Sequence, residues 1–189
     1  MVESDRERWD RKFAAGEGPA HFRPKAFLCQ HAHLLSMGRA LDVACGFGGN
    51  ALYLALLGYQ VDAIDVSGVA LAQAQTEAKR RGLRLNLVQA DLTRWWVPPR
   101  RYDAILVFFY LNRELMPRLA EGLRPGGLLF QANRNTRYLA IRPSYDRNYL
   151  LLPSELRRLA LDAGLEVVHY GEEPPGENYN TQLVARRPG

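Results

Sequence analysis

Beyond Pro24 the apolar positions alternate between two periods. Short, nearly continuous apolar runs at Ala40 to Ala44, Gln60 to Asp65, Leu83 to Val88, Tyr102 to Phe108 and Gly127 to Ala132 read as buried strands. Between them, Asn50 to Leu57, Val69 to Arg81 and Asn112 to Leu123 repeat their apolar residues at helical spacing. Regular alternation of this kind predicts a parallel sheet wrapped by crossover helices. Gly58, Gly82 and Gly122 fall near the predicted helix ends, where a left-handed residue closes the last turn. "RPGG", Arg124 to Gly127, predicts a sharp turn just before a buried strand.

The rhythm breaks at both ends of the chain. "PSELRRLALDAG" predicts a helix from about Pro153 with Ser154 as its N-cap, and "LEVVHYGEE" a strand. The loop "PPGENYN" and a last strand, "TQLVARR", follow with no helix between, which implies an antiparallel pair. Ahead of the sheet, "RERWDRKFAAG" and "RPKAFLCQHAHLLSMG" predict two short helices joined through "EGPAHF". Trp9 and Phe13 share one face of the first, either as its core stripe or as a cap over a ligand. The expected organisation is a single domain over 1–189, with a helical cap at 1–38 and a core at 39–189.

Composition narrows the class. At 189 residues, 47% of them hydrophobic, the chain can bury a real core. No apolar run is long enough to span a bilayer, and the charged start "MVESDRERWDRKF" carries no signal-peptide core, so no membrane is expected. Two cysteines, Cys29 and Cys45, form no disulfide framework, which fits a cytoplasmic setting. The net charge of +5 is carried almost wholly by arginine, with Lys12, Lys25 and Lys79 the only lysines. The arginines are scattered rather than blocked into a tail, so nucleic acid is disfavoured as a partner. A monomer or a homodimer is expected.

The chemistry centres on "LDVACGFGGNALYLA", Leu41 to Ala55. Gly46, Gly48 and Ala51 match the dinucleotide spacing G-x-G-x-x-G/A, and Asp65 follows about 20 residues on, so by spacing alone a nicotinamide or flavin ligand stands beside a sulfonium nucleoside. Three features favour the sulfonium. Asp42 lies inside the first strand, where a buried carboxylate suits a cationic ligand and opposes a pyrophosphate. Asp91, in "QADL", ends the third strand where an adenine amino group can be read. The chain is also short for a dehydrogenase, which would need a separate catalytic domain.

"LDVACGFGGNALYLA", "VDAIDVS", "QADL", "YDAILVFFYL" and "LRPGGLLFQAN" together resemble, in order and spacing, the motif series of class I S-adenosylmethionine-dependent methyltransferases. The resemblance runs from about Trp9 to Arg187. It is nearer to a small bacterial group of tellurite-resistance-type methyltransferases, which share a "WD..F"-like N-terminal stretch. It implies a Rossmann-like α/β fold: a seven-stranded, mostly parallel sheet with a C-terminal antiparallel hairpin and helices on both faces. S-adenosylmethionine would be the cofactor and S-adenosylhomocysteine the product. Asp42, Ala44, Gly46, Gly48 and Asn50 would then hold its methionine part, and Asp65 the ribose hydroxyls. Val66 would lie against the adenine, Asp91 and the Leu92 N–H would read it, Phe108 would line the sulfonium pocket and Trp9 would cap it.

Direct displacement from a sulfonium needs alignment and exclusion of water more than it needs a base, so no catalytic residue is assigned. "VFFYL" at the fourth strand is not the D/N-P-P-Y/F of amino-group methylases, and no cysteine pair for covalent base methylation is present. The acceptor pocket is expected above the carboxyl ends of the strands. Its candidates come from the loops after strands four and five: Tyr110, Arg113, Arg137, Tyr138, Tyr145 and Tyr149. The long Arg/Tyr-rich segment Asn133 to Leu152 suits an anionic or aromatic small molecule, but it also reads as a solvated surface loop. The alternatives are an RNA methyltransferase and a non-catalytic cofactor-binding protein. "CQHAH" offers Cys29 and His33 on one helical face with His31 turned away, leaving His21 as a distant third ligand, so no metal is assigned.

Overall fold

The computed structural model of the chain describes residues 3–16, 22–172 and 179–189. Most of "EGPAHF" and "PPGENYN", and His21 with them, lie outside the described residues. The chain divides into two compact units, Met1–Trp96 and Val97–Gly189.

In the first unit α1 (Asp5–Ala14) opens with a capping box: Ser4 Oγ accepts the Glu7 N–H at 3.3 Å, and the Glu7 carboxylate takes the Ser4 N–H at 2.9 Å. The predicted second helix is shorter than its periodicity implies. It runs as α2 (Ala26–Gln30) and then a single 3-10 turn at Ala32–Leu34. The break is at His31, where the ring Nδ1 lies 3.1 Å from the Phe27 carbonyl and competes with the helical bond to it. Cys29 and His33 therefore do not share a continuous helical face.

The strands β1 (Arg39–Val43), β2 (Gln60–Asp65) and β3 (Asn86–Gln89) pair in parallel, with Asp42 beside Ala63 and Asp65 beside Gln89. β1 and β2 are almost wholly buried, which is why they read as unbroken apolar runs rather than alternating ones. The crossovers are α3 (Gly49–Leu56) and α4 (Gly68–Arg80). β3 starts later than Leu83 because the Leu83 N–H turns back to the Ala78 carbonyl at 2.9 Å, closing α4 over a left-handed Gly82.

In the second unit β4 (Tyr102–Phe108) pairs in parallel with β5 (Leu123–Arg134). "RPGG" is not a turn ahead of the strand but a bulge within it. Tyr102 pairs with Leu123 and Ala104 with Leu128, so the intervening residues loop out over a left-handed Gly126. α5 (Leu115–Gly122) begins later than predicted, after a turn in which Asn112 Oδ1 accepts the Glu114 N–H. Its Gly122 does not take the expected positive φ. A Cβ there would lie 2.5 Å from Val97 Cγ1, so close packing explains this glycine.

α6 (Glu155–Asp162) follows Ser154, which is left-handed and makes no side-chain cap, unlike the N-cap expected of it. β6 (Glu166–Glu172) and β7 (Asn180–Arg186) form the expected antiparallel pair, and β7 is also antiparallel to β5. The seven strands run in the order β3-β2-β1-β4-β5-β7-β6, the mostly parallel Rossmann-like arrangement with one reversed strand.

Candidate cofactor site and acceptor segment

The turn from β1 into α3 is built from backbone in unusual conformations. Ala44, Gly46 and Gly48 all have positive φ, at 54°, 52° and 73°. The alanine carries a conformational cost of about 1 kcal/mol that glycine would not. Two carboxylates brace this loop. Asp65 Oδ2 accepts the Gly46 N–H at 2.8 Å and its Oδ1 the Ser67 N–H at 2.9 Å. Asp42 Oδ2 accepts the Ala51 N–H at 3.0 Å in the first turn of α3.

Burial lifts the Asp42 carboxyl to about 7, against the pull of the Ala51 N–H and with a further push from the Asp65 charge. Burial also raises Asp65, although N–H donors from Ser67, Gly46 and Val66 oppose it. Two acids that resist ionisation side by side are a poor bed for a pyrophosphate. A ligand carrying ammonium or sulfonium charge supplies the cation they lack. This set of acceptors fits S-adenosylmethionine.

The other first-unit candidates fall around this loop. Ala90 N–H bonds to the Asp65 carbonyl at 3.0 Å, which brings the start of "DL" beside the end of β2. Asp91 is exposed, and its Oδ1 accepts from both the N–H and the hydroxyl of Thr93, which hold its pKa low. It caps a short turn rather than a helix. Leu92 is buried, and Val66 is half-buried with its carbonyl accepting from Gln89 Nε2. Neither acid is the N-cap of α4. Ser67 is, with its Oγ accepting the Ala70 N–H at 3.2 Å.

Asn50 proves to be engaged by protein: its Oδ1 accepts the Lys25 N–H at 2.9 Å, fastening the strand-like approach to α2 onto α3. Gly49 allows the same approach, since a Cβ there would lie 2.3 Å from the Arg23 carbonyl oxygen. Cys45 is half-buried, and burial together with Asp42 and Asp65 pushes its thiol well up, which suits a packing residue and not a nucleophile.

Sequence reading missed how the cap is attached. Phe13, not Trp9, reaches the glycine loop: its ring meets Phe47 edge-on at 4.8 Å, and its Cζ lies 3.5 Å from where a Gly46 Cβ would stand. Trp9 packs on Phe13 at 5.6 Å, with Lys12 Nζ 4.9 Å from its own ring. Asp10 accepts the Ser67 hydroxyl at 2.5 Å and the Val69 N–H at 3.2 Å, tying α1 to the start of α4. The only sequence signal for it was its place in the "WD..F"-like stretch.

In the second unit Phe108 ends β4 buried, and the next residue, Phe109, is left-handed and 43% exposed. Tyr110 is half-buried beside it. Arg113 is not presented to a ligand. It forks onto Glu155 at 2.5 and 3.2 Å and donates to the carbonyls of Asn148 and Leu150, fixing the end of the long connection. Burial pushes the Glu155 carboxyl up, but Arg113 and the Leu152 N–H bring it below its ordinary value.

Tyr138 and Tyr145 are brought together, their rings perpendicular at 5.1 Å, around the guanidinium of Arg134. Arg137 and Tyr149 are exposed and stand outside this cluster; the Arg137 charge helps to lower Glu172. Among the described residues no group of three or more His, Cys, Asp or Glu is placed to hold a metal, and no helix is long and apolar enough to cross a membrane.

Known proteins resemble the chain in sequence and in fold. Residues 40–127 match the family described as a methyltransferase domain. The probable S-adenosyl-L-methionine-dependent methyltransferase TehB of Haemophilus influenzae is 31% identical over 96 residues, which cover 49% of this chain and 33% of that protein. In sequence, then, the chain spans about a third of the length of this relative. The solved TehB structure shares the fold, with a TM-score of 0.74 at 20% identity over 95% of this chain and 67% of that one. The ubiquinone biosynthesis O-methyltransferase of Nitrosospira multiformis is 29% identical over 82% of this chain and 71% of its own length. A structure solved for the conversion of a disulfide bond into a thioacetal group during echinomycin biosynthesis is 25% identical, with a TM-score of 0.70 over 97% of this chain and 93% of that one. The chain thus carries a match to a methyltransferase domain over residues 40–127 and resembles S-adenosylmethionine-dependent methyltransferases such as TehB.

Proposed function

We propose that this chain transfers the methyl group of S-adenosylmethionine to a small-molecule acceptor by direct displacement. The observation that carries the reading is the pair of buried carboxylates, Asp42 and Asp65, braced on a left-handed glycine loop. When bound, the cofactor supplies an activated methyl: a lone pair of the acceptor forms the new bond to carbon while the carbon–sulfur pair returns to sulfur, leaving S-adenosylhomocysteine. The residues of the chain bind and orient. Asp42 faces the cationic methionine part, while Ala44, Gly46 and Gly48 admit it to the backbone. Asp65 takes the ribose hydroxyls, and Val66, Asp91 and Leu92 border the adenine. Phe13, with Trp9 packed on it, covers the glycine loop.

Calorimetric titration with S-adenosylmethionine, S-adenosylhomocysteine and NAD tests the reading, with Asp65→Ala and Asp65→Asn alongside and their thermal unfolding recorded. Both sulfur nucleosides bind and NAD does not. Loss of the charge-assisted bonds at Asp65 weakens binding roughly a hundred-fold, more in Ala than in Asn. Binding of NAD in place of the sulfur nucleosides returns the loop to the dinucleotide class and overturns the proposal. A screen of anionic and aromatic small molecules against RNA then tests the acceptor class, with steep salt dependence marking an RNA substrate.

A further inference from the structure

Arg134 is held differently from the arginines that fasten the second unit; Arg142 also makes a ring contact there, 5.8 Å from Tyr145. Arg113 donates to Glu155 and two carbonyls, Arg187 to three carbonyls, and Arg124 to Asp103. The guanidinium of Arg134 is held instead by rings. Its Cζ lies 4.1 Å from the centroid of Tyr138, 5.3 Å from Tyr145 and 6.0 Å from Phe109. Ring contacts use the flat faces of a guanidinium and leave the N–H donors at its edge available. Among the described residues, none accepts a hydrogen bond from them.

A second observation points to the same place. Asn180 is the register partner of Arg134 across β5 and β7, so the two side chains leave the sheet on one face. Asn180 is 8% exposed, yet among the described residues its Oδ1 has no hydrogen-bond partner. A buried acceptor without a donor is costly and calls for a ligand or a bound water. Phe109, left-handed at φ 59° and pinned by its N–H to the Ala132 carbonyl at 2.8 Å, holds its exposed ring beside the same guanidinium. Strain of this kind collects at functional sites. All of these residues sit at or beside the carboxyl end of β5, where open α/β sheets bind ligands.

We propose that Arg134 is the anion anchor for the acceptor. It receives a planar carboxylate edge-on, while Asn180 accepts from an O–H or N–H carried by the same molecule. The acceptor class is thus a small aromatic acid bearing a hydroxyl or amino donor. The inference deepens the methyl-transfer reading and rests on it for the word acceptor; the binding site itself does not depend on that reading.

Salicylate and its neutral isostere salicylamide are the probes, titrated calorimetrically into the full chain with and without saturating S-adenosylhomocysteine. Salicylate binds at least ten-fold more tightly than salicylamide. Arg134→Gln removes that preference, Arg134→Lys restores part of it, and Asn180→Ala weakens salicylate several-fold. The affinity for S-adenosylhomocysteine stays within two-fold in all three variants, which shows that they fold. Equal binding of the two probes overturns the proposal. So does undiminished salicylate binding in Arg134→Gln, or tighter binding of inorganic phosphate than of salicylate. Failure of S-adenosylhomocysteine to bind the unaltered chain sinks the cofactor reading alone, since the salicylate comparison without it still reports on Arg134.

Discussion

The two units hold their candidate sites by opposite means. In the first, carboxylates accept backbone N–H groups: Asp65 takes those of Gly46 and Ser67, and Asp42 that of Ala51. In the second, arginines do the fastening, through the Arg113–Glu155 fork and the ring-held Arg134. An acid that grips backbone fixes a loop whatever its side chains are, so the loop shape belongs to the motif. An arginine that grips side chains and distant carbonyls fixes only what those particular partners allow. The loop of the first unit is therefore set by backbone bonds, and the connection in the second by particular side chains.

The largest test of this contrast is Glu155→Ala. It leaves Arg113 without its buried partner, a change that costs about 3 kcal/mol and lowers Tm by roughly 10 °C. S-adenosylhomocysteine affinity stays within two-fold, because Asn148, Leu150 and Leu152, which the pair also binds, belong to the second unit. A matching loss of cofactor affinity would break the separation. Gly49→Ala acts on the other side of the comparison. Its Cβ would stand 2.3 Å from the Arg23 carbonyl oxygen, so either the approach to α2 or the start of α3 must shift. The cost is about 2 kcal/mol, and cofactor affinity falls with it, about ten-fold. Thermal melts and calorimetry on the pair of variants read both axes. An intact affinity in Gly49→Ala would detach the cap from the cofactor site.

What the chain disclosed in advance follows the same division. The glycines, Asp42, Asp65 and Asp91 were legible as positions because local spacing alone puts them in or just beyond β1, β2 and β3. The strands themselves were legible because β1, β2 and β4 are buried on both faces and so read as plain apolar runs. Arg113 was misassigned because its partner lies 42 residues away, a distance no local pattern carries. "RPGG" resembled a turn because Pro and Gly mark any departure from regular backbone, a bulge as much as a corner. The His31 break in the second helix was hidden for a related reason: a side chain that bonds its own helix carbonyl leaves the apolar periodicity unchanged.

A smaller effect separates the cap from the loop it covers. Ser67→Ala removes both the N-cap of α4 and the hydroxyl that Asp10 accepts, and costs about 1 kcal/mol. A double-mutant cycle with Asp10→Ala isolates the α1 contact, with an expected coupling of about 1 kcal/mol. Additive losses would mean that the Ser67 hydroxyl does not hold α1, which would then rest on the Val69 N–H and the Phe13–Phe47 contact.

The finest test is of pH, and it bears on Asp42. Its carboxyl holds a proton up to about 7 in the native chain, whereas in the unfolded chain it releases it near the ordinary 3.8. Between those values the folded state binds the extra proton, so this group's contribution to stability is complete below about pH 4 and is lost as pH rises toward 7. Asp65 is shifted in the same direction and adds to the trend. Asp42→Asn stays neutral at every pH and can still accept the Ala51 N–H, so its stability relative to the unaltered chain improves from about pH 4 to about 7 and then levels off. Cofactor binding runs the other way. A cationic methionine group favours the ionised carboxylate, so the affinity for S-adenosylhomocysteine rises roughly ten-fold from pH 5.5 to 7.5 in the unaltered chain and stays flat in Asp42→Asn. The same rise in both proteins would place the titrating group elsewhere. It would also remove Asp42 from the cofactor site while leaving its role in capping α3 intact.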